Sequence, residues 1–142
     1  MPAFSKFDGV KELLAEKVIH FSTDVLKVML VNAPTPIATN AVKADLVEIG
    51  TGNGYVAGGK VVVVVSSQQV AGVYRLVVGS LTWGALGGAI GPFRYSVLYD
   101  DTVATPVKPL VGWWDVGAQV TLSLGETFTW RVSPTSGLLT LS

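Results

Sequence analysis

Phe93-Arg94-Tyr95-Ser96-Val97-Leu98-Tyr99 is the stretch on which the reading of the fold turns. Large apolar residues at Phe93, Tyr95, Val97 and Tyr99 alternate with smaller or polar ones, and this period of two predicts a strand with those four side chains on one face. Phe128-Thr129-Trp130-Arg131-Val132 repeats the pattern near the end of the chain. Between and around them, after Lys60, runs rich in branched and aromatic residues are broken at short intervals. The strands predicted there are Val61–Ser66, Gly72–Val78, Phe93–Tyr99, Leu110–Val116, Ala118–Leu122, Thr127–Val132 and Leu138–Leu141. Asp100-Asp101-Thr102, Gly125-Glu126 and Ser136-Gly137 supply turn chemistry between them. The expectation is a mainly β single domain over residues 1–142, a sandwich or a barrel.

Upstream the period changes. Phe4, Phe7, Val10, Leu13, Leu14, Val18 and Phe21 fall at steps of three and four with charges between them, which predicts one amphipathic helix over about residues 5–21. Ser5 is its expected N-cap, and His20, the one histidine, is expected at its C-terminal end, where an imidazolium favours the helix dipole. Val25–Val31 then reads as a buried strand, stopped by Asn32 and two prolines. From about residue 33 to 60, Pro34, Pro36, Asn40 and five glycines leave room only for short pieces such as Asp45–Ile49. This segment is expected to be a long surface excursion and a candidate contact arm.

Composition narrows the function. The chain is 49% hydrophobic and only 14% charged, against roughly 25% charged in ordinary soluble domains. Ten basic and ten acidic residues cancel, which removes the attraction that draws a protein to nucleic acid or anionic lipid. A neutral, charge-poor surface favours oligomerisation or docking on a larger partner. With no cysteine there is no thiolate nucleophile, zinc–thiolate site or disulfide. Asp8, Glu12 and Glu16 interrupt the place of a signal-peptide core. The charge-free run Leu76–Phe93 carries too much glycine and proline to be read as a membrane span.

The motifs that imitate chemistry fail on context. Gly54-Tyr55-Val56-Ala57-Gly58-Gly59-Lys60 has P-loop spacing, but Val61 stands where Ser or Thr must hold magnesium, and a valine run follows instead of a helix. Gly52-Asn53-Gly54 imitates a dinucleotide fingerprint and lacks the same context. His20 has no motif that places a serine and a carboxylate beside it. Asp100-Asp101 is better explained as a solvated turn than as a calcium site, which needs six or more oxygens. No enzymatic activity, cofactor or metal is expected.

Trp113 and Trp114 are neighbours in one predicted strand, so they must point to opposite faces of the sheet. The one the core cannot hold is covered by the N-terminal helix, packed into another subunit, or displayed as a sugar platform, in that order of preference.

Several stretches together resemble a known family. Phe4-Ser-Lys-Phe7 with Leu14-Ala-Glu-Lys17, Leu26-Lys27-Val28 with the Asn32-Ala-Pro34 exit, Ala41–Ile49 leading into Gly-Asn-Gly-Tyr55, and Ile90-Gly-Pro-Phe93-Arg-Tyr95 with Leu98-Tyr99-Asp-Asp-Thr102 form the pattern. Pro109-Leu110-Val-Gly112-Trp-Trp114-Asp115 and Gly125-Glu-Thr-Phe128 extend it. The chain resembles the capsid decoration, or cement, proteins of tailed bacteriophages. That resemblance implies a jelly-roll-like or related β-sandwich that forms homo-oligomers, binds the major capsid protein of the same phage on the outside of the virion, and performs no chemistry. The candidate partner contacts are Phe4, Lys6 and Phe7 of an N-terminal arm from Pro2, then Pro34, Pro36 and Tyr55 of the excursion, and Trp113 and Trp114. A phage tail or neck subunit and a carbohydrate-binding β-sandwich module are the competing readings.

Overall fold

A computed structural model describes residues 4–132 and 138–141. In chain order the elements are β1 (Phe4–Lys6), α1 (Gly9–Ala15), β2 (Leu26–Val31), a short 3-10 turn (Lys43–Asp45), β3 (Lys60–Val61), β4 (Val64–Val70), β5 (Val73–Val78), β6 (Leu81–Gly84), β7 (Ile90–Asp100), β8 (Leu110–Leu122), β9 (Thr127–Trp130) and β10 (Leu139–Leu141). The molecule is mainly β, as expected. All strand pairs are antiparallel, in three sheets ordered β1-β8-β7-β2-β3, β10-β5-β4 and β6-β9.

The five-stranded sheet is buried on both faces. On one side Leu26, Val28 and Leu30 of β2, Phe93 and Leu98 of β7 and Trp114 of β8 join Leu76 and Val78 of β5, Trp83 of β6 and Trp130 of β9 in the main core. Trp114 meets Trp130 edge-on with ring centroids 5.0 Å apart. On the other side Met29, Val31, Tyr95, Val97, Tyr99 and Leu110 form a second cluster under Phe7, Leu46 and Trp113. This double burial explains why β2 reads as a continuous apolar run rather than an alternating one.

The expected helix over residues 5–21 is mostly absent. Phe4–Lys6 instead pairs with β8, Phe4 opposite Trp114 and Lys6 opposite Gly112, and the helix keeps only Gly9–Ala15. The absence of a side chain at Gly112 makes this approach possible: a Cβ there would lie 2.1 Å from the Phe4 ring. Ser5 is thus a strand residue, and Asp8, without a side-chain cap bond, holds the position before the helix. The helix stops because Lys17 takes a left-handed φ of 62°. Lys17 N–H then donates to Leu14 O (3.3 Å) and Val18 N–H to Leu13 O (2.9 Å), the bonding of a Schellman turn with lysine where glycine is usual. His20 lies beyond that stop, so it caps no helix; its backbone N–H donates to Asp24 Oδ2 at 3.0 Å.

Phe93 does not share a face with Tyr95, Val97 and Tyr99. The β7–β8 register shifts between Phe93 and Tyr95, which turns Phe93 into the main core while the other three enter the second cluster. The two strands expected at Leu110–Val116 and Ala118–Leu122 are one, continuous through Gly117 at φ 108°. The run expected at Val61–Ser66 divides into β3 and β4, and β4 continues to Val70. Leu81–Gly84 is an additional strand. The Ser136-Gly137 turn lies outside the described residues.

Candidate contact surfaces

The excursion from residue 33 to 60 is not a free arm; its own polar side chains fasten it to the sheet. β3 covers the edge of β2 only at Lys27 and Val28, leaving the backbone of Leu30 without a strand partner there. Tyr55 and Ile49 replace it: Leu30 N–H donates to Tyr55 Oη at 3.1 Å, and Ile49 N–H donates to Leu30 O at 3.1 Å. The Tyr55 hydroxyl in turn donates to Glu48 Oε2. Glu48 also accepts from Gly58 N–H at 2.6 Å and pairs with Lys43 at 3.1 Å, and Tyr99 Oη donates to Gly58 O at 2.6 Å. Burial, then the neighbouring Glu48 carboxylate, push the Tyr55 hydroxyl far above the ordinary phenol range, so it stays a donor at any working pH. Replacing Tyr55 with phenylalanine leaves Leu30 N–H and Glu48 short of a partner. A loss of about 1–3 kcal/mol in urea unfolding is expected, together with faster proteolysis within residues 43–60.

Of the sequence-derived contact candidates, Phe7, Pro36, Tyr55 and Trp114 are buried within the chain itself and present no surface to a partner. Lys6 and Pro34 are exposed, and Phe4 and Trp113 are half-buried. Trp113 and Trp114 do take opposite faces. Trp113 is covered by Phe7 at a centroid distance of 4.5 Å, and Trp114 by Phe4 at 4.7 Å. The cover comes from the segment before the helix rather than from the helix face expected. None of the four tryptophans is an exposed platform.

Nor is the Asp100-Asp101 turn a solvated one. Asp101 pairs with Lys27 at 3.3 Å and with Lys108, and these two lysines hold its carboxyl below the usual carboxylate range. Asp100 is fully buried; its Oδ1 accepts from Thr102 N–H (2.9 Å) and Val103 N–H (3.2 Å). Its Oδ2 finds no donor. Among the described residues no three His, Asp or Glu side chains gather as metal ligands, and no helix is long and apolar enough to cross a membrane. A shallow groove lined by Val42, Lys43, Leu46, Val107 and Lys108 contains two lysines already paired with Glu48 and Asp101.

What the surface does display is apolar. Leu86 and Leu124 are 74% and 66% exposed, on two loops tied together by Ala85 N–H to Glu126 O (3.0 Å) and Gly125 N–H to Ala85 O (2.9 Å). A third loop joins them: Leu86 N–H donates to Asn53 O at 2.9 Å, and Asn53 Nδ2 donates to Ala89 O at 2.8 Å. Glu126 Oε1 accepts from Ser123 N–H at 2.6 Å and fixes the second loop. Val63, Val65 and Val70, in and beside β4, are also exposed. Sequence reading missed the Leu86–Leu124 platform, because single leucines in glycine-rich turns carry no periodic signal. No family model, curated protein or solved structure matches the chain.

Proposed function

We propose that this protein is a structural virion component, a decoration protein that self-associates and binds the outside of a phage capsid lattice, with the two smaller sheets opposing the five-stranded one in a jelly-roll-like sandwich. The observation that carries the reading is the pair of exposed leucines on mutually bonded loops, in a chain with no net charge. A pre-ordered apolar platform loses little freedom on docking, which is what a clamp between neighbouring lattice subunits requires. A main core drawing on all three sheets supports the sandwich. Stabilisation then follows from mass action, since a protein that binds the assembled shell and not its free subunits shifts the equilibrium toward the shell.

The test is to add purified protein to heads of the cognate phage that lack it. Co-sedimentation and a higher temperature of head rupture are expected. The double variant Leu86→Asp/Leu124→Asp, which leaves the core untouched, is expected to bind at least about tenfold more weakly, a difference of about 1.4 kcal/mol. Heads that bind nothing overturn the reading, and assembly of the protein alone into rings or tubes points to the tail.

A further inference from the structure

β4 is the end strand of its sheet, so among the described residues one side of its backbone has no neighbouring strand. Its pairing with β5 closes at Val70 and Val73 around a two-residue turn, Ala71 and Gly72, both at positive φ (53° and 84°). That geometry belongs to a type I′ hairpin, in which the closing residues exchange hydrogen bonds. With the register Ser66↔Val77, Gln68↔Arg75 and Val70↔Val73, the even-numbered residues of β4 direct their N–H and C=O groups toward β5. Ser67 and Gln69 therefore direct theirs outward, away from the sheet.

Natural sheet edges are made short or charged to prevent pairing with another chain. β1 is three residues long with Lys6, and β3 is two residues long with Lys60. β4 is seven residues long and has no charged residue or proline; the register shift between Val64 and Ser66 interrupts only its first part. We propose that residues Ser66–Val70 pair antiparallel with the same residues of a second copy across a two-fold axis at Gln68, joining two three-stranded sheets into one.

Ser67 then lies opposite Gln69 of the second copy, and Gln69 opposite its Ser67. These are the two positions with free outward groups, so four backbone hydrogen bonds form without any shift in register. Gln68 faces its own counterpart as a non-hydrogen-bonded pair, where side chains come closest. An edge with no charge has nothing to repel its copy, and a strand matched to itself under a two-fold closes a dimer rather than a fibre. An axis at Gln68 uses both outward-facing positions in the regular part of β4.

The position on the axis gives the experiment. Gln68 is exposed, so changing it leaves the monomer's core intact. Sedimentation equilibrium is expected to show a reversible dimer for the native protein. Gln68→Lys and Gln68→Glu each place like charges directly opposite, and each is expected to raise the dissociation constant about fivefold or more. Mixing the two variants is expected to restore dimers containing one of each. A native protein that stays monomeric, or an oligomer indifferent to both variants, overturns the proposal. It rests on the self-association part of the decoration reading, yet the two fail separately: a monomer that still coats heads defeats the edge pairing alone, and a dimer that never binds heads defeats decoration alone.

Discussion

Gly59→Ala is expected to destabilise the protein by about 3 kcal/mol or more, a large share of the roughly 5–15 kcal/mol that holds a domain folded. Gly59 has φ 80°, and a Cβ built there lies 1.8 Å from Val28 O and 2.9 Å from Met29 Cα. Both are backbone atoms of β2, in the interior of the five-stranded sheet, and neither can move aside. The segment from Gly58 to Val61 must therefore lift. The β3 pairing, the bond from Tyr99 Oη to Gly58 O and the bond from Gly58 N–H to Glu48 are lost with it. Gly72→Ala provides the control, because Gly72 has a similar φ of 84° with nothing within 4 Å of the added atom. It is expected to lose only the backbone term of about 1–2 kcal/mol. Equal losses for the two variants in urea unfolding would remove the clash from the explanation.

Asp100→Asn, by contrast, is expected to stabilise the protein at pH 8, by roughly 2 kcal/mol. Burial raises the Asp100 carboxyl to about 7, and Asp24, within hydrogen-bonding reach, adds to the shift; the Thr102 and Val103 amides oppose it. Protonated, Asp100 Oδ2 becomes the donor that the site lacks and bonds to Asp24. The folded state therefore binds a proton more tightly than the unfolded chain does. This contribution is complete at pH below about 4 and is lost as pH rises to about 7. Asparagine keeps the Oδ1 acceptor for Thr102 and Val103, and its Nδ2 donates to Asp24 at every pH. The variant should gain stability at pH 8, gain little at pH 4, and show a flatter profile between them. An unchanged slope would show that the pair does not share a proton.

Much of the fold was legible where local pattern and tertiary demand agree. β2, the alternation of Tyr95, Val97 and Tyr99 in β7, the opposite directions of Trp113 and Trp114, and a strand rather than a helix at Val61 all follow from spacing. The misses have particular causes. The step of three from Phe4 to Phe7 fits a helix face, yet it also lets a strand put Phe4 on Trp114 and a following turn put Phe7 on Trp113. The helix end was hidden because Lys17 occupies a conformation associated with glycine. The face of Phe93 was set by a register shift between its pairing with Val120 and that of Tyr95 with Asp115, partners too distant in sequence for any local window to contain. Tyr55 was read as a surface residue from its glycine neighbours, whereas those glycines let the chain fold back so that its hydroxyl can serve β2. Among the contact candidates, residue type identified apolar weight and could not say which side of the sheet would receive it. The outward edge of β4 depends on the phase of the hairpin, and that phase appears only once the turn is placed.

The pairing of β1 with β8 sets an order on synthesis. Phe4 meets Trp114, so the first strand of the sheet waits for about 110 residues to emerge before it has a partner. Leu26 likewise meets Asp100. At roughly 5–20 residues per second that wait lasts on the order of ten seconds. During it the β4–β5 hairpin, whose contacts are local, is the part of the sheet structure that can form first. The N-terminal strand closes only once β8 has emerged, ahead of β9 and β10, and a nascent chain released before Trp114 leaves Phe4 without its partner.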